Sequence, residues 1–443
     1  MKINKKRKII IFTIVILLIS SVVTFCLINS YKFSSKPIFD FPPLRENEKL
    51  DSDDYVYDFN YAWDVLEDYY PYFDVNRELF GVDFLANKTD YQDYIAQAKT
   101  DEDFYKRFNQ ILKDLHNYHV NLIGVNEGIY QYLTYRDARR VDFRSDFADL
   151  YENRIVQNRY GITNELIRDK LSEYHGQDFE ILSTNANCQD LIPDKIALIS
   201  IPNMIGYDLQ SIEFKKDKEK IESYLQLVEN YGALVIDIRG NGGGDSQYWE
   251  EFLLPLIVSV EVRNLEYTFI KDGPLFKKVR RYEGYKRLNA NTLRSFGFPE
   301  RTINYLKDFS FYTNHERVVN PNNESVKFGG KIYLLVDEKV FSSAEMLASF
   351  MKETNIATLI GTTTGGDGIG TDPFQIPLPK SGFVMRFPKQ MGVTGKGSIN
   401  DLEKTKPDIT VIDSSVKYSF GENQININAD KCLEKVLELE KMK

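Results

Sequence analysis

Histidine, cysteine and tryptophan are scarce in this chain: 443 residues hold 4 His, 3 Cys and 2 Trp. His116 and His119 sit three apart with no glutamate between them, which is not the i, i+4 spacing of a helical zinc site. No other Cys/His cluster completes a ligand set, so no metal is expected. Cys26 lies inside an apolar run, which leaves Cys188 and Cys432. These form either one bridge or two inert thiols, and neither scaffolds a chain of this size. Basic charge is also short, with 56 Lys+Arg against 65 Asp+Glu and a net charge of −9. Five of the basic residues crowd into positions 1–8, so the remainder is more acidic still. That excludes sequence-independent nucleic-acid binding, which needs a basic surface. There is no internal repeat and no low-complexity block.

What is present begins with Lys2, Lys5, Lys6, Arg7 and Lys8, followed by uncharged Ile9–Ile28. A run of that length spans a bilayer, and the basic cluster before it stays cytoplasmic. It exceeds the usual apolar core of a cleaved signal peptide and lacks a small-x-small site. The expected organisation is therefore a cytoplasmic tail (1–8), a transmembrane anchor (9–29) and a Pro-containing linker (30–54). A helical domain (55–122) follows, with Phe59, Trp63, Leu66 and Phe104, Phe108, Leu112, Leu115 at helical spacing. Thr100 and Asp103 mark a capping box. Residues 123–195 form a connecting or cap region.

Strands expected at 196–201, 233–238, 331–336 and 356–360 alternate with helices at 215–230, 248–258 and from Ser342. The alternation argues for a largely parallel sheet in an α/β core, over 196–272 and 324–443. Residues 273–323 interrupt it as a basic, aromatic cap insertion. Its Lys277, Lys278, Arg280, Arg281 and Arg287 read first as a solvated surface, and secondly as a surface favouring acidic or C-terminal-carboxylate substrates.

Three stretches carry chemistry. Gly240, Gly242, Gly243 and Gly244 follow a buried strand, where backbone without side chains can turn sharply or approach a ligand. The run lacks the third glycine of GxGxxG. Gly361-Thr-Thr-Thr-Gly-Gly366 begins like a phosphate loop, but Asp367 stands where its lysine belongs. Both nucleotide readings fail. Ser342 opens a helix directly after the 331–336 strand, so it is either an N-cap or a nucleophile beside unpaired N–H groups. A histidine near the end of the helical region is a candidate general base.

These stretches together resemble the tail-specific, or C-terminal processing, serine peptidases. Arg239-Gly-Asn-Gly-Gly-Gly after Leu-Val-Ile-Asp-Ile is similar to their strand-plus-glycine signature, and Phe341-Ser-Ser-Ala-Glu-Met346 to their nucleophile motif. One branch of the family places a catalytic lysine in the loop where this chain has Asp367, so the serine–lysine dyad is absent. The other branch, typified by the tricorn core and nisin-resistance peptidases, takes its base from a pattern similar to Leu112-Lys-Asp-Leu-His-Asn-Tyr-His119.

The resemblance implies an α/β (α+β) core of the crotonase-like or ClpP-like type. It also implies Ser342 as nucleophile, His119 as base and His116 as a structural histidine. Ser343 and Gly243 (or Gly242) are the implied oxyanion donors. Asp401, six residues before Pro407, stands where the family often has a glutamate that orients the histidine. No PDZ module is expected in 123–195, and no cofactor is implied. The expected protein is a membrane-anchored, extracytoplasmic serine peptidase acting on peptides or unstructured protein tails, with antimicrobial peptides as the nearest functional image. A catalytically inactive peptide-binding protein on the same fold is the alternative.

Overall fold

The computed structural model describes residues 49–136, 143–176, 185–206, 211–412 and 430–442. The expected tail (1–8), anchor (9–29) and all but the last six residues of the linker lie outside the described residues. Among the described residues no helix is long and apolar enough to cross a membrane. The linker ends earlier than expected, because Asp51 caps helix Ser52–Tyr69 through a reciprocal box with Asp54.

In chain order the strands are β1 (Asn121–Leu122), β2 (Asn187–Ile192), β3 (Ile196–Ser200), β4 (Ala233–Asp237), β5 (Val262–Ile270), β6 (Lys286–Arg287) and β7 (Phe311–Val319). They continue with β8 (Lys331–Val336), β9 (Thr358–Gly361), β10 (Phe374–Pro377), β11 (Val384–Phe387), β12 (Met391–Thr394) and β13 (Ile409–Thr410). The main sheet runs β13–β9–β8–β4–β3–β2. Every pairing in it is parallel except β2 with β3. Its middle strand β4 is buried throughout, which is why its sequence is a continuous apolar run rather than an alternating one.

Strand periodicity then divides that run between two cores. Leu234 and Ile236 face helices Ile212–Leu227 and Ser343–Thr354. Ala233 and Val235 face the C-terminal helix Lys431–Leu439. Each fully buried large apolar side chain of this strand stabilises the layer by about 1.5–3 kcal/mol. Cys188 and Cys432 are both free thiols.

A third core crosses the expected domain limits. It joins Phe59, Trp63, Phe104 and Phe108 of the N-terminal helices to Phe147 and Tyr160. It then continues through Phe269, Phe298, Phe374, Met385 and Leu402. The described parts of the helical domain, the connecting region and the insertion therefore share one core with residues 374–402, which the sequence alone places in the peptidase core. The physical reason is the small sheet β1–β11–β10. Its strands need a cover for their apolar face, and the N-terminal helices supply it. Asp58 fixes the seam: its carboxylate accepts from Lys380 N–H at 2.8 Å and Ser381 N–H at 2.7 Å.

The insertion is also more regular than its sequence suggests. β5 and β7 pair antiparallel from Val262–Val319 to Ile270–Phe311. Charges obscure their alternation, and those charges are matched in space: Arg263 with Glu316 at 2.9 Å and Arg317 with Glu266 at 3.2 Å. Part of the basic cluster is likewise engaged. Lys278 bonds Asp146 at 2.7 Å, and the Arg280 guanidinium lies over the Phe311 ring at 4.5 Å.

Candidate active site

β8 delivers the chain to a tight turn, and helix Ser343–Thr354 begins immediately after Ser342. Ser342 has φ 55° and ψ −125°, and its side chain makes no capping bond. An ordinary N-cap serine is extended and bonds the first turn of its helix. Ser342 does neither, so the cap reading fails. Its backbone sits in a sparsely populated region that persists only where surroundings enforce it.

The enforcement comes from two neighbouring loops. Phe341 N–H donates to Asn241 O at 3.2 Å, Ser342 N–H to Gly366 O at 3.3 Å, and Gly365 N–H to Val340 O at 2.7 Å. Ser343 occupies the first helical position, where an N–H has no intrahelical acceptor and the helix dipole favours negative charge.

The glycine loop packs against this turn. A Cβ on Gly243 would lie 2.8 Å from both Phe341 O and Ser342 Cβ, and 2.9 Å from Ser343 N. With φ 104° as well, only glycine fits there. Gly243 differs from expectation in one respect. Its N–H donates to Asn241 Oδ1 at 2.8 Å, so it is already committed. Asn241 is fully buried, and its amide also bonds Ile201 O at 2.9 Å. Gly243 therefore supplies close approach rather than a free donor. A Cβ on Gly242 would meet nothing within 4 Å, and Gly242 and Ser343 are the expected donors that remain.

His119 reaches this place from the N-terminal body. Its backbone N–H donates to Asn117 Oδ1 at 2.8 Å. Its ring lies 4.8 Å from the Phe341 ring, on the residue preceding Ser342. His119 Nδ1 is 2.8 Å from Asp367 Oδ2. A carboxylate only accepts, so the bond puts the proton on Nδ1 and leaves the Nε2 lone pair available. His116 is used otherwise. Its ring stacks on Phe80 at 4.0 Å and its Nδ1 meets Asn76 Oδ1 at 2.9 Å.

Asp401, expected beside the histidine, does not touch it. Asp367 takes that position because its loop runs parallel to the turn carrying Ser342. Gly366 (φ 90°) and Asp367 (φ 56°) both turn left-handed there. Asp401 stands behind, on the short helix Asn400–Glu403, and is reached by Asn117 Nδ2 at 3.4 Å. The same amide nitrogen is 3.1 Å from Asp367 Oδ2. Burial, and then the neighbouring Asp367, hold the Asp401 carboxyl well above the usual carboxylate range. Glu345, on helix Ser343–Thr354, is pushed up to about 7 by burial, and accepts from Asn400 and Thr405 at 2.7 Å each. Asp367 was legible only as a missing lysine; the left-handed glycine turn before it is the signal for a redirected side chain.

Residues 195–411 match the model of Peptidase family S41, so the chain carries a serine-type peptidase domain of that family. The fold is similar to that of a Parabacteroides merdae protein described as a peptidase. That likeness has TM-score 0.52 and 15% identity, over 89% of this chain and 97% of the other. It is similar also to mature CPAF complexed with lactacystin, with TM-score 0.50 and 14% identity over 81% and 94% of the two chains. No curated protein sequence matches the chain.

Proposed function

We propose that Ser342, His119 and Asp367 form the catalytic triad of a peptidase acting on peptides or on unstructured protein tails. The observation that carries the reading is the 2.8 Å bond between His119 Nδ1 and Asp367, with the same ring packed on Phe341. Ser342 Oγ attacks the scissile carbonyl while His119 Nε2 takes its proton. The oxyanion of the tetrahedral intermediate is met by the N–H groups of Ser343 and Gly242, each such donor lowering the barrier by about 3–4 kcal/mol. His119 returns the proton to the leaving amine, and water releases the acyl group by the same steps in reverse. Asp367 keeps the imidazole in the required tautomer and stabilises the imidazolium.

The basic cluster and the uncharged run Ile9–Ile28 support a single-pass anchor with the catalytic body outside the membrane. The test is cleavage of unstructured peptides by purified wild type and Ser342→Ala. Wild type cleaves and is labelled by a fluorophosphonate probe; the variant does neither. Unchanged cleavage by the variant overturns the serine assignment. Proteolytic shaving of intact cells, which removes an outward-facing body and spares an inward-facing one, tests the location.

A further inference from the structure

Behind the Asp367 carboxyl that bonds His119 stands a second one, that of Asp401. Asn117 holds the group together: its Oδ1 fixes the backbone of His119, and its Nδ2 lies between Asp367 Oδ2 at 3.1 Å and Asp401 Oδ1 at 3.4 Å. The second oxygen of Asp401 is buried and makes no well-formed hydrogen bond among the described residues; the Tyr72 hydroxyl beside this carboxyl donates to Gln390 O instead. A fully ionised carboxylate with an orphaned, desolvated oxygen beside another carboxylate is strongly disfavoured. Two carboxyls reached by one amide nitrogen lower this cost when one of them holds a proton.

We propose that the Asp367–Asp401 pair carries one proton, held on Asp401, and that Asp401 is a positioning residue acting on His119 through Asn117 and Asp367. This rests on the triad reading above. Asp367 stays the acceptor for Nδ1, while Asp401 remains neutral and keeps Asn117 in place. The balance of groups facing Asp401 favours a neutral acid. Burial, Asp367 and Glu345 raise its carboxyl, while the Tyr72 hydroxyl and Lys404 act the other way and are outweighed. Tyr70 and Tyr72 lie fully buried beside both carboxyls, and the ionisation of each tyrosine is pushed well up by burial. The Tyr72 hydroxyl is held by Gln390 O at 2.8 Å. Burial acts on Asp401 in the same direction.

The test compares Asp401→Asn, Asp401→Ala and Asp367→Asn in the full chain. The Nδ1–H proton of His119 is followed by NMR, which four histidines make assignable. A neutral amide replaces a neutral acid in Asp401→Asn, so this resonance keeps its downfield position. In Asp367→Asn it is lost or moves sharply upfield, because its carboxylate acceptor is gone. For peptide cleavage, Asp401→Ala lowers kcat about tenfold at constant KM, and Asp401→Asn recovers most of that loss. An Nδ1–H resonance displaced as far in Asp401→Asn as in Asp367→Asn overturns the proposal.

Should the variants fail to fold, wild type alone decides. With carbon-13 at the aspartate carboxyls, the infrared spectrum at pH 7.5 shows a protonated-acid band if the proposal holds and none if it fails. The imidazole and infrared readouts need no turnover. If Ser342→Ala still cleaves while they come out as expected, the serine assignment falls and the shared proton stands.

Discussion

Asp367 Oδ2 and His119 Nδ1 stand 2.8 Å apart across 248 positions of sequence. In Asp367→Asn the side chain can present an amide N–H to Nδ1, so the imidazole is offered the wrong tautomer. We expect kcat to fall roughly 10²–10⁴-fold with little change in KM. Steady-state cleavage of an unstructured peptide measures it. An Asp367→Asn variant with wild-type kcat would place the orienting carboxyl elsewhere.

The two neighbouring histidines part company under substitution. His119→Ala removes the proposed base, and we expect kcat to fall by several orders of magnitude, roughly as in Ser342→Ala. His116→Ala removes a ring stacked on Phe80 and a bond to Asn76. It costs about 1 kcal/mol of stability and leaves the catalytic groups in place. Urea unfolding and kcat, measured on both variants, separate the roles.

Gly243→Ala and Gly242→Ala give opposite results on the fold of the nucleophile turn. A methyl at 243 strikes Phe341 O and Ser342 Cβ at 2.8 Å, whereas one at 242 meets nothing within 4 Å. Gly243→Ala therefore displaces Ser342 and abolishes fluorophosphonate labelling. Gly242→Ala retains labelling, since its added methyl forces no movement of Ser342.

Asp58 makes stability depend on pH. Burial pushes its carboxyl up to about 6 from a usual 3.8, against the pull of the Ser381 and Lys380 N–H bonds. The folded state thus binds the proton more tightly than the unfolded one. The associated stabilisation is complete below pH 4 and is lost as pH rises through about 6, by at most about 3 kcal/mol. Denaturant midpoints of wild type and Asp58→Asn, compared from pH 4 to 7, should shift steadily in favour of the variant.

A buried pair ties the last helix to the glycine loop. Arg239 donates to Asp430 at 2.7 and 3.1 Å and to Asp237 at 2.6 and 2.9 Å. Asp430 also caps helix Lys431–Leu439 through Cys432 and Leu433 N–H. Asp430→Ala removes one of two counter-charges and the cap together, costing about 3 kcal/mol or more. Chemical denaturation reads that cost directly.

Much of the main sheet was legible because its strands are buried on both faces. Lys331–Val336 coincides with an expected strand and Ala233–Asp237 falls within another, and the helix after Ser342 follows from apolar spacing alone. β5 and β7 were not legible. Their pairing joins residues about fifty positions apart, and the charges that break each alternation cancel only across the ladder, as in Arg263 with Glu316.

The site divided in the same way. Ser342 and His119, which the proposed triad retains, are singled out by local motifs. The partner of the imidazole was decided by which loop runs beside Val340–Ser342, a tertiary fact, and the structure puts Asp367 there rather than Asp401. Whether an N–H at Gly243 is free depends on the rotamer of Asn241, which no spacing encodes.

The core that unites residues 55–162 with 374–402 also bears on how the protein is made. During synthesis, the segment bearing His119 emerges long before the strands that cover it. Until about position 400 has left the ribosome, that segment has no packed surface to fix its imidazole, and the serine turn has no partner. With the triad proposed above, a nascent or truncated chain is therefore inert however much of the 196–361 sheet has formed. Hydrolytic competence arrives in one late step, after the polypeptide is nearly complete.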